Sequence, residues 1–198
     1  MKSILKHCAV VLSLACSLPA AAHQEIFLVT LNGSSEAPAN VSPGIGDATV
    51  TFDLDLVTMR VEATFSGLTG NVSASHIHCC TANPGAATAG VASQTPSFTG
   101  FPTGVTAGTY DHTFDLTQAG SYNAAFITNN GGTVSTALNA LLAGAATGKA
   151  YLNIHTSTFP GGEIRGFLTP APVPVPAAVW LMGSALVGLL GLRRKRAI

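Results

Sequence analysis

The stretch Ala48-Thr49-Val50-Thr51-Phe52-Asp53-Leu54-Asp55-Leu56 alternates apolar and polar residues without interruption. Because successive side chains of a β-strand point to opposite faces, this pattern predicts a strand with one face in a hydrophobic core and the other in water. Residues 59–65 repeat the same alternation. A turn near Val57-Thr58 therefore makes these two strands a hairpin, around which the rest of the fold is expected to form.

Short alternating runs recur on both sides of this hairpin. They predict strands at 26–31, around His76 and His78, at 110–116, and in a closing hairpin at 149–156 and 163–169. Residues 133–146 have apolar side chains at helical spacing and predict a short helix ending at Gly148, and residues 118–129 also break the strand pattern. Residues 81–106 predict a long loop. The predicted fold class is an all-β antiparallel sandwich, immunoglobulin-like or Greek-key, with one or two short helices.

The two ends of the chain differ from its middle in composition. Lys2 and Lys6 precede an apolar run and then Ala20-Ala21-Ala22, a pattern typical of a secretory signal peptide at residues 1–22. Residues 171–198 contain a proline-rich spacer, an uncharged stretch at 177–192 and a basic tail. That stretch would span about 24 Å as a helix, which predicts a minimal membrane helix with its basic end on the cytoplasmic side. One folded domain remains, at residues 23–170.

A formal net charge of zero for the whole chain conceals an acidic domain. Residues 23–170 contain three Lys or Arg residues and nine Asp or Glu residues, a formal net charge of −6. A domain with so few cations has no extended basic surface, so the sequence predicts no nucleic-acid partner. The sequence also lacks a nucleophile elbow, a phosphate-binding loop and a dinucleotide fingerprint. This composition favours an extracellular module that attracts cations.

His76 and His78 are the residues best placed to carry chemistry. Two apart on a strand, they point to the same face with Cα atoms about 6.5–7 Å apart, close enough to bind one metal ion. His155, on a neighbouring strand, would complete a three-nitrogen site suited to copper or zinc. The alternative is a pair of half-exposed histidines stabilised by local hydrogen bonds. His112 lies in an alternating run, which favours a core position, but a role as an additional ligand stays open.

Cys79 and Cys80 are the only cysteines left after removal of residues 1–22. In an oxidising compartment they would form a disulfide between neighbours, or remain as thiols beside a metal as additional ligands. Adjacent side chains on a strand point to opposite faces, so at most one of them would join the histidines. A disulfide that only stiffens the end of the strand is the simpler interpretation. Glu163 and Arg165 share a strand face, which predicts that they pair with each other.

Several blocks of the sequence resemble the CHRD domain, which is named for chordin. These blocks are Gly33-Ser34-Ser35-Glu36-Ala37-Pro38, Gly46-Asp47-Ala48, Ser75-His76-Ile77-His78, Ala150-Tyr151-Leu152-Asn153-Ile154-His155-Thr156 and Phe159-Pro160-Gly161-Gly162-Glu163-Ile164-Arg165-Gly166. The resemblance covers about residues 25–169 and makes residues 23–170 one CHRD domain.

This resemblance implies a β-sandwich distantly similar to Cu/Zn superoxide dismutase. By that similarity His76, His78 and His155 are the copper-type ligands, and Arg165 stands near the open position, where it would attract an anion. The bridging and zinc histidines of the dismutase have no counterparts between Cys80 and Thr106. A mononuclear copper site is therefore expected rather than a two-metal site.

The C-terminal segment resembles the PEP-CTERM sorting signal of Gram-negative bacteria. The resemblance rests on Pro174-Val175-Pro176-Ala177-Ala178-Val179-Trp180-Leu181 and the basic cluster Arg193-Arg194-Lys195-Arg196, with Val175 where the usual motif has glutamate. It implies an exosortase-type processing enzyme as a partner. It also implies a precursor anchored in the inner membrane and a final location at the cell surface or in the extracellular matrix. The alternative is a plain C-terminal membrane anchor.

Three functions are consistent with these patterns. The first is a secreted or cell-surface bacterial protein, associated with the envelope or the exopolysaccharide matrix, that binds copper or zinc through three histidines without established catalysis. The second is a copper-dependent redox enzyme of superoxide dismutase type, in which Arg165 steers an anionic oxidant. The third is an adhesion module without metal, in contact with exopolysaccharide or matrix proteins. Ring nitrogens of the three histidines within about 4 Å of one another would be consistent with shared ligation.

Overall fold

The computed structural model describes residues 23–172, in which β-strands predominate. The elements are β1 (Gln24–Asn32), β2 (Ile45–Asp53), β3 (Thr58–Ser66), β4 (Val72–His78), β5 (Gly108–Asp115), α1 (Ala124–Asn129), α2 (Val134–Ala146), β6 (Tyr151–Thr156), β7 (Ile164–Phe167) and β8 (Thr169–Pro170), with short 3₁₀ turns at Gly33–Ser35 and Ala119–Ser121. The predicted signal peptide and the predicted sorting signal from residue 173 onward lie outside the described residues.

The strands form one curled antiparallel sheet. Their order is β4–β6–β7–β1–β2–β3–β5, and β8 pairs with β1. The apolar side chains of the alternating runs are buried along the inner face of this sheet, and α2 adds buried residues to the same core. The predicted all-β antiparallel class with short helices is confirmed. None of the helices within residues 23–172 is long and apolar enough to cross a membrane.

The hairpin of β2 and β3 forms as predicted, but β2 is shorter than its alternating pattern. Val50 pairs with Val61 and Phe52 pairs with Met59, and all four side chains are buried. β2 ends at Asp53, whose Oδ1 accepts hydrogen bonds from the backbone N–H groups of residues 55 and 56, at 3.1 and 2.9 Å. The chain therefore turns before residue 54. The prediction that Leu54 and Leu56 continue the buried face is wrong, and both side chains are exposed.

β6 is buried on both faces, and this arrangement positions the candidate site. Leu152 and Ile154 point into the core, because they pair with the buried core-facing positions of β4 and β7. Tyr151, Asn153 and His155 alternate with them and point to the opposite face. A second buried layer, composed of polar and aromatic side chains, therefore lies outside β4, β6 and β7.

The long segment at residues 81–106 covers the outer edge of β4. The backbone N–H groups of Ala92, Phe98 and Gly104 donate to the carbonyls of Ile77, Ser75 and Val72 respectively, each at 2.9 Å. Phe98 is also buried in the core. The segment is irregular, as predicted, apart from isolated bridges. Because these hydrogen bonds occupy an edge that would otherwise expose unpaired backbone groups, the segment has a structural role.

α2 packs against the end of β4 through a glycine. Its N-terminus is capped by Thr133, whose hydroxyl accepts from the backbone N–H of Thr136 at 3.2 Å. Cys79 and Cys80 form the predicted disulfide, and the two sulfurs lie against the helix backbone at Gly144. A side chain at this position has no room.

We expect the substitution Gly144→Ala to destabilise the domain by up to about 2 kcal/mol. A methyl group there would overlap the Cys79 sulfur and lie 2.5 Å from the Cys80 sulfur. Alanine is favoured over glycine by about 1 kcal/mol in a helix interior, but overpacking costs about 1–3 kcal/mol, and the bonded sulfurs cannot rotate away. Denaturant unfolding measures the change. Gly120→Ala is the control, since nothing lies within 4 Å of the position that its methyl group would take; equal stability of the two variants would contradict the packing.

Candidate metal centre

Three imidazoles meet on the outer face of β4 and β6. His76 and His78 come from β4, and His155 lies on β6 opposite Ala74. The ring centroids of His76 lie 4.9 Å from His78 and 4.6 Å from His155, and the other pair is 5.7 Å apart. One ligand atom from each residue can be chosen so that all lie within 4.8 Å of one another. The prediction that these three histidines come together is confirmed, but the 4.8 Å bound is looser than the about 4 Å expected for shared ligation; the His78–His155 pair, with Nε2 atoms 3.5 Å apart, meets that limit.

Backbone carbonyls fix the tautomers of two of these rings. Nδ1 of His78 lies 2.9 Å from the Ala89 carbonyl oxygen, and Nδ1 of His155 lies 2.9 Å from the Pro160 carbonyl oxygen. A carbonyl oxygen can only accept, so each Nδ1 carries the proton and donates it. In a neutral imidazole the other nitrogen, Nε2, then presents a lone pair. Both histidines therefore direct an unprotonated Nε2 toward the centre of the cluster.

Burial keeps the three imidazoles neutral. The exposed fractions of His76, His78 and His155 are 7, 9 and 9 %. Burial lowers the pKa of His76 to about 3, with further lowering from the other two rings. Burial also lowers the pKa of His78 to about 4, against the opposing hydrogen bond to Ala89, and it lowers the pKa of His155 against the hydrogen bond to Pro160. A neutral imidazole is the form that coordinates a metal.

The ring nitrogens that face each other in the cluster carry lone pairs and no proton. The two Nε2 atoms of His78 and His155 face each other at 3.5 Å, and neither carries a proton for the other. Nδ1 of His76 is also buried and has no hydrogen-bond partner. In a tetrahedral site with metal–nitrogen distances of about 2.0–2.1 Å, nitrogens are separated by ~3.3 Å. One pair already has nearly this spacing, and the donor set of three neutral imidazoles fits a copper or zinc ion.

The wall of the cluster is formed by Tyr151 and the segment at residues 87–90. The ring of Tyr151 stacks on His78 with centroids 4.8 Å apart and planes 2° from parallel. Its hydroxyl accepts a hydrogen bond from the backbone N–H of Ala89 at 3.2 Å. The same Ala89 supplies the carbonyl that orients His78. Tyr151 thus holds both the ring and the residue that sets its tautomer.

Arg165 lies behind this wall and is almost completely buried, with 3 % of its side chain exposed. Its guanidinium donates to the carbonyls of Ser35 and Ala87, the latter at 2.9 Å. It lies over the ring of Tyr151, 4.7 Å from the centroid, and its Nε is 3.7 Å from Oε2 of Glu36. The observed contacts are those of a clamp that ties two loops to the sheet. The role of Arg165 in attracting an anion stays a prediction.

The predicted pairing of Glu163 with Arg165 is wrong. Glu163 precedes the first residue of β7, so the strand alternation does not extend to it. Its carboxylate instead accepts from the hydroxyls of Ser42 at 2.5 Å, Thr156 at 2.6 Å and Thr69 at 2.9 Å. Burial alone would raise the pKa of Glu163, but these hydrogen bonds outweigh it and lower the pKa.

Two further buried residues adjoin the cluster without having been singled out by the sequence patterns. Asn153 pairs with His76 across β4 and β6 and with Arg165 across β6 and β7. Its Oδ1, Oε1 of Glu36 and Nδ1 of His76 are the buried side-chain polar atoms without a hydrogen-bond partner within residues 23–172. Burial raises the pKa of Glu36 to about 7, against the opposing effect of Arg165. Alternation along β6 would have placed Asn153 beside His155. Glu36 belongs to a block that resembles the CHRD domain, but nothing in the sequence placed it near the histidines.

The other candidate ligands lie elsewhere. His112 is on β5, at the other end of the sheet order from β4, between the rings of Tyr110 and Phe114. The sulfurs of Cys79 and Cys80 are bonded to each other and turn toward α2. Among the residues that the structure describes, the group able to hold a metal consists of the three histidines alone.

Fold and site together define a class, an all-β antiparallel domain with a buried three-histidine cluster on its sheet. The chain belongs to the CHRD domain family, whose characteristic sequence it matches over residues 27–168, well over half of its length. Searches of the curated proteins and of the solved structures found no match. The implied distant similarity to Cu/Zn superoxide dismutase therefore stays a prediction.

We expect the metal-free domain to lose stability as the pH falls from 6.5 toward 5. The lowered histidine pKa values mean that the unfolded chain binds up to three protons there that the folded state does not. Glu36 opposes this, because its raised pKa makes the folded state bind one proton that the unfolded chain does not. His76 and His78 less Glu36 give a net difference of about one proton, and His155 raises it toward two, which corresponds to ~1.4–2.7 kcal/mol per pH unit near pH 5. Denaturant unfolding at pH 7, 6 and 5 measures this slope.

Two variants separate the opposing contributions to this slope. Glu36→Gln removes the proton that opposes the histidines, so its stability should fall more steeply with decreasing pH. His76→Asn removes one titrating imidazole and should give a shallower slope. A stability that is constant between pH 7 and 5 in the unsubstituted domain would contradict the burial of neutral imidazoles.

Proposed function

We propose that this CHRD domain binds one transition-metal ion, copper or zinc, through His76, His78 and His155. The observation that carries the proposal is the 3.5 Å distance between the unprotonated Nε2 atoms of His78 and His155. The Nδ1 proton of each ring is donated to a backbone carbonyl, so both Nε2 lone pairs are free. Two lone pairs so placed repel each other unless a shared cation lies between them. A cation bound there would remove this repulsion.

The donor set indicates which ions fit. Neutral imidazole nitrogens suit copper and zinc, whereas calcium and magnesium require oxygen ligands. Three protein ligands leave a further coordination position for water or another small ligand. The acidic character of the domain, with a net charge of −6 over residues 23–170, attracts cations toward it.

We further propose that the protein is exported and acts in the cell envelope or the exopolysaccharide matrix. Support comes from the signal-peptide pattern at residues 1–22 and from the resemblance of the C-terminal segment to a PEP-CTERM signal. An exosortase-type enzyme is the proposed processing partner. Before processing, the precursor of the protein would be anchored in the membrane through its C-terminal segment. A metal-binding module in this position would retain copper or zinc outside the cell.

The contacts of Arg165 bear on the alternative of a copper-dependent redox enzyme. An arginine that recruits an anion from solvent needs a guanidinium with free donors, and here Nε and one terminal nitrogen donate to backbone carbonyls in a buried position. These contacts therefore give no support to an anion-recruiting role for Arg165, on which the redox alternative depends. The purely adhesive alternative predicts that neither copper nor zinc changes the stability of the domain.

We expect zinc or copper(II) to bind with a stoichiometry of one and to stabilise the folded domain. At a free metal concentration of about 100 times Kd, the free energy of unfolding should rise by about 2.7 kcal/mol, because the ion binds the native state only. In the variant carrying both His76→Ala and His78→Ala this increase should vanish. Metal content after dialysis, isothermal titration calorimetry and thermal unfolding all report the effect.

His112→Ala serves as the matched control, since it removes an imidazole from the sheet but leaves the cluster intact. It should retain the metal-dependent stabilisation in full. Metal retention by the double-histidine variant equal to that of the unsubstituted protein would overturn the proposal.

We expect Tyr151→Phe to weaken metal binding by about 10-fold, the lower end of the effect of residues that orient a metal ligand. The substitution keeps the ring that stacks on His78 and removes the hydroxyl that holds Ala89. Tyr122→Phe is the control, because its hydroxyl is bonded to the Leu116 carbonyl at 3.0 Å, away from the cluster. Calorimetric titration with zinc gives both Kd values; equal values would show that Tyr151 does not position His78.

A further inference from the structure

A disulfide stands directly after the metal-binding strand. Cys79 and Cys80 are bonded to each other, and the residue before them is His78, the last residue of β4. The two residues differ in exposure: Cys79 is 5 % exposed, whereas Cys80 is an exposed residue. The backbone of α2 at Gly144 covers the disulfide from one side. Cys80, as the exposed residue of the pair, is the expected point of attack for an incoming nucleophile.

An open cavity of about 280 Å³ gives access to this disulfide. Its lining includes both cysteines, Gly90, Val91, Phe126 and Asn129, and no charged residue contributes to it. The volume is below the roughly 300–1,000 Å³ of pockets that enclose drug-sized ligands. The cavity thus admits a small molecule to the exposed sulfur.

We propose that Cys79–Cys80 is a site of thiol–disulfide exchange with small thiols, and that its redox state sets the metal affinity of the histidine cluster. The sulfur of a first thiol bonds to Cys80 as the Cys79–Cys80 bond breaks, and the proton of that thiol passes to Cys79. A second thiol then bonds to the sulfur of the first, which leaves as the external disulfide, and its proton passes to Cys80. The two external thiols are oxidised and the protein disulfide is reduced by two electrons.

The connection to the metal ligands runs through the backbone of residues 89–91. The N–H of Cys79 donates to the carbonyl of Gly90 at 3.0 Å, and His78 forms a β-bridge with Val91. The adjacent carbonyl, that of Ala89, orients Nδ1 of His78. The closed ring restrains the backbone at Cys79 and Cys80, so opening it loosens the hydrogen bond to Gly90 and with it the position of Ala89. This second half of the proposal rests on the proposed function, because it concerns the affinity for a metal.

Single substitutions test the accessibility of each sulfur. Cys79→Ser leaves a free thiol at the exposed position, and Cys80→Ser leaves one at the buried position. Reaction with a small aromatic disulfide reagent, followed by absorbance, should be at least about 10-fold faster for the Cys79→Ser protein, since reactivity depends on access. In the unsubstituted protein, glutathione should produce two titratable thiols, and dialysis in air should remove them. Equal rates for the two variants, or a disulfide that resists glutathione in the folded protein, would overturn the exchange site.

A double variant tests the link to the metal. Free thiols can themselves bind zinc, which would obscure the comparison. The double variant with Cys79→Ser and Cys80→Ser therefore represents the state without the disulfide and carries no thiols. Its Kd for zinc should be about 10-fold higher than that of the disulfide form, as for the loss of a group that orients a ligand. Amide hydrogen exchange at residues 89–91 should be faster in the double variant. An unchanged Kd together with unchanged exchange would overturn the link.

The two proposals fail in different ways. If zinc and copper bind neither form, the proposed function is wrong, while the labelling rates and the glutathione reaction still decide the exchange site. If zinc binds both forms with one Kd and hydrogen exchange is unaltered, the metal site stands and the link is wrong.

Discussion

Two backbone carbonyls, those of Ala89 and Pro160, determine what the histidine cluster is. By accepting the Nδ1 protons of His78 and His155, they fix the tautomers and turn both Nε2 lone pairs inward. Without them each ring could exchange its proton between its two nitrogens and satisfy its neighbour by an ordinary hydrogen bond. Other parts of the domain hold these two carbonyls in position. One carbonyl belongs to the segment that covers β4, and the other belongs to the turn between β6 and β7.

The positions of these two carbonyls depend on two buried charged residues, each of which anchors one of the two loops. Arg165 donates to the Ala87 carbonyl and so holds the segment that contains Ala89. Glu163 accepts from Thr156, whose hydroxyl oxygen in turn accepts from the backbone N–H of Phe159, next to Pro160. A direct ion pair between these two charges would have left both loops unanchored. Their separate networks satisfy each charge with hydrogen bonds and fix the carbonyls at the same time.

The strands were predictable because alternation reports a half-buried strand directly, and the helix at 134–146 was predictable from its spacing and Gly148. The end of β2 was not predictable from the sequence. The apolar–polar alternation continues to Leu56, but the side chain of Asp53 accepts a backbone hydrogen bond that turns the chain earlier. The three histidines were found from spacing on β4 and from family resemblance, since their chemistry lies in the side chains. The groups that orient them were missed, because a backbone carbonyl from an aperiodic segment leaves no mark in the sequence.

β6 serves the core with one face and the site with the other, so all six of its residues are buried. Substitutions within it would disturb either packing or the cluster, and little room is left there for evolutionary or engineered change. The orienting groups have the opposite property. Since the residues at 89 and 160 contribute main-chain oxygens, their side chains can vary without loss of the hydrogen bonds, provided the backbone path is kept. Variation that tunes the surroundings of the cluster is therefore expected in the loops.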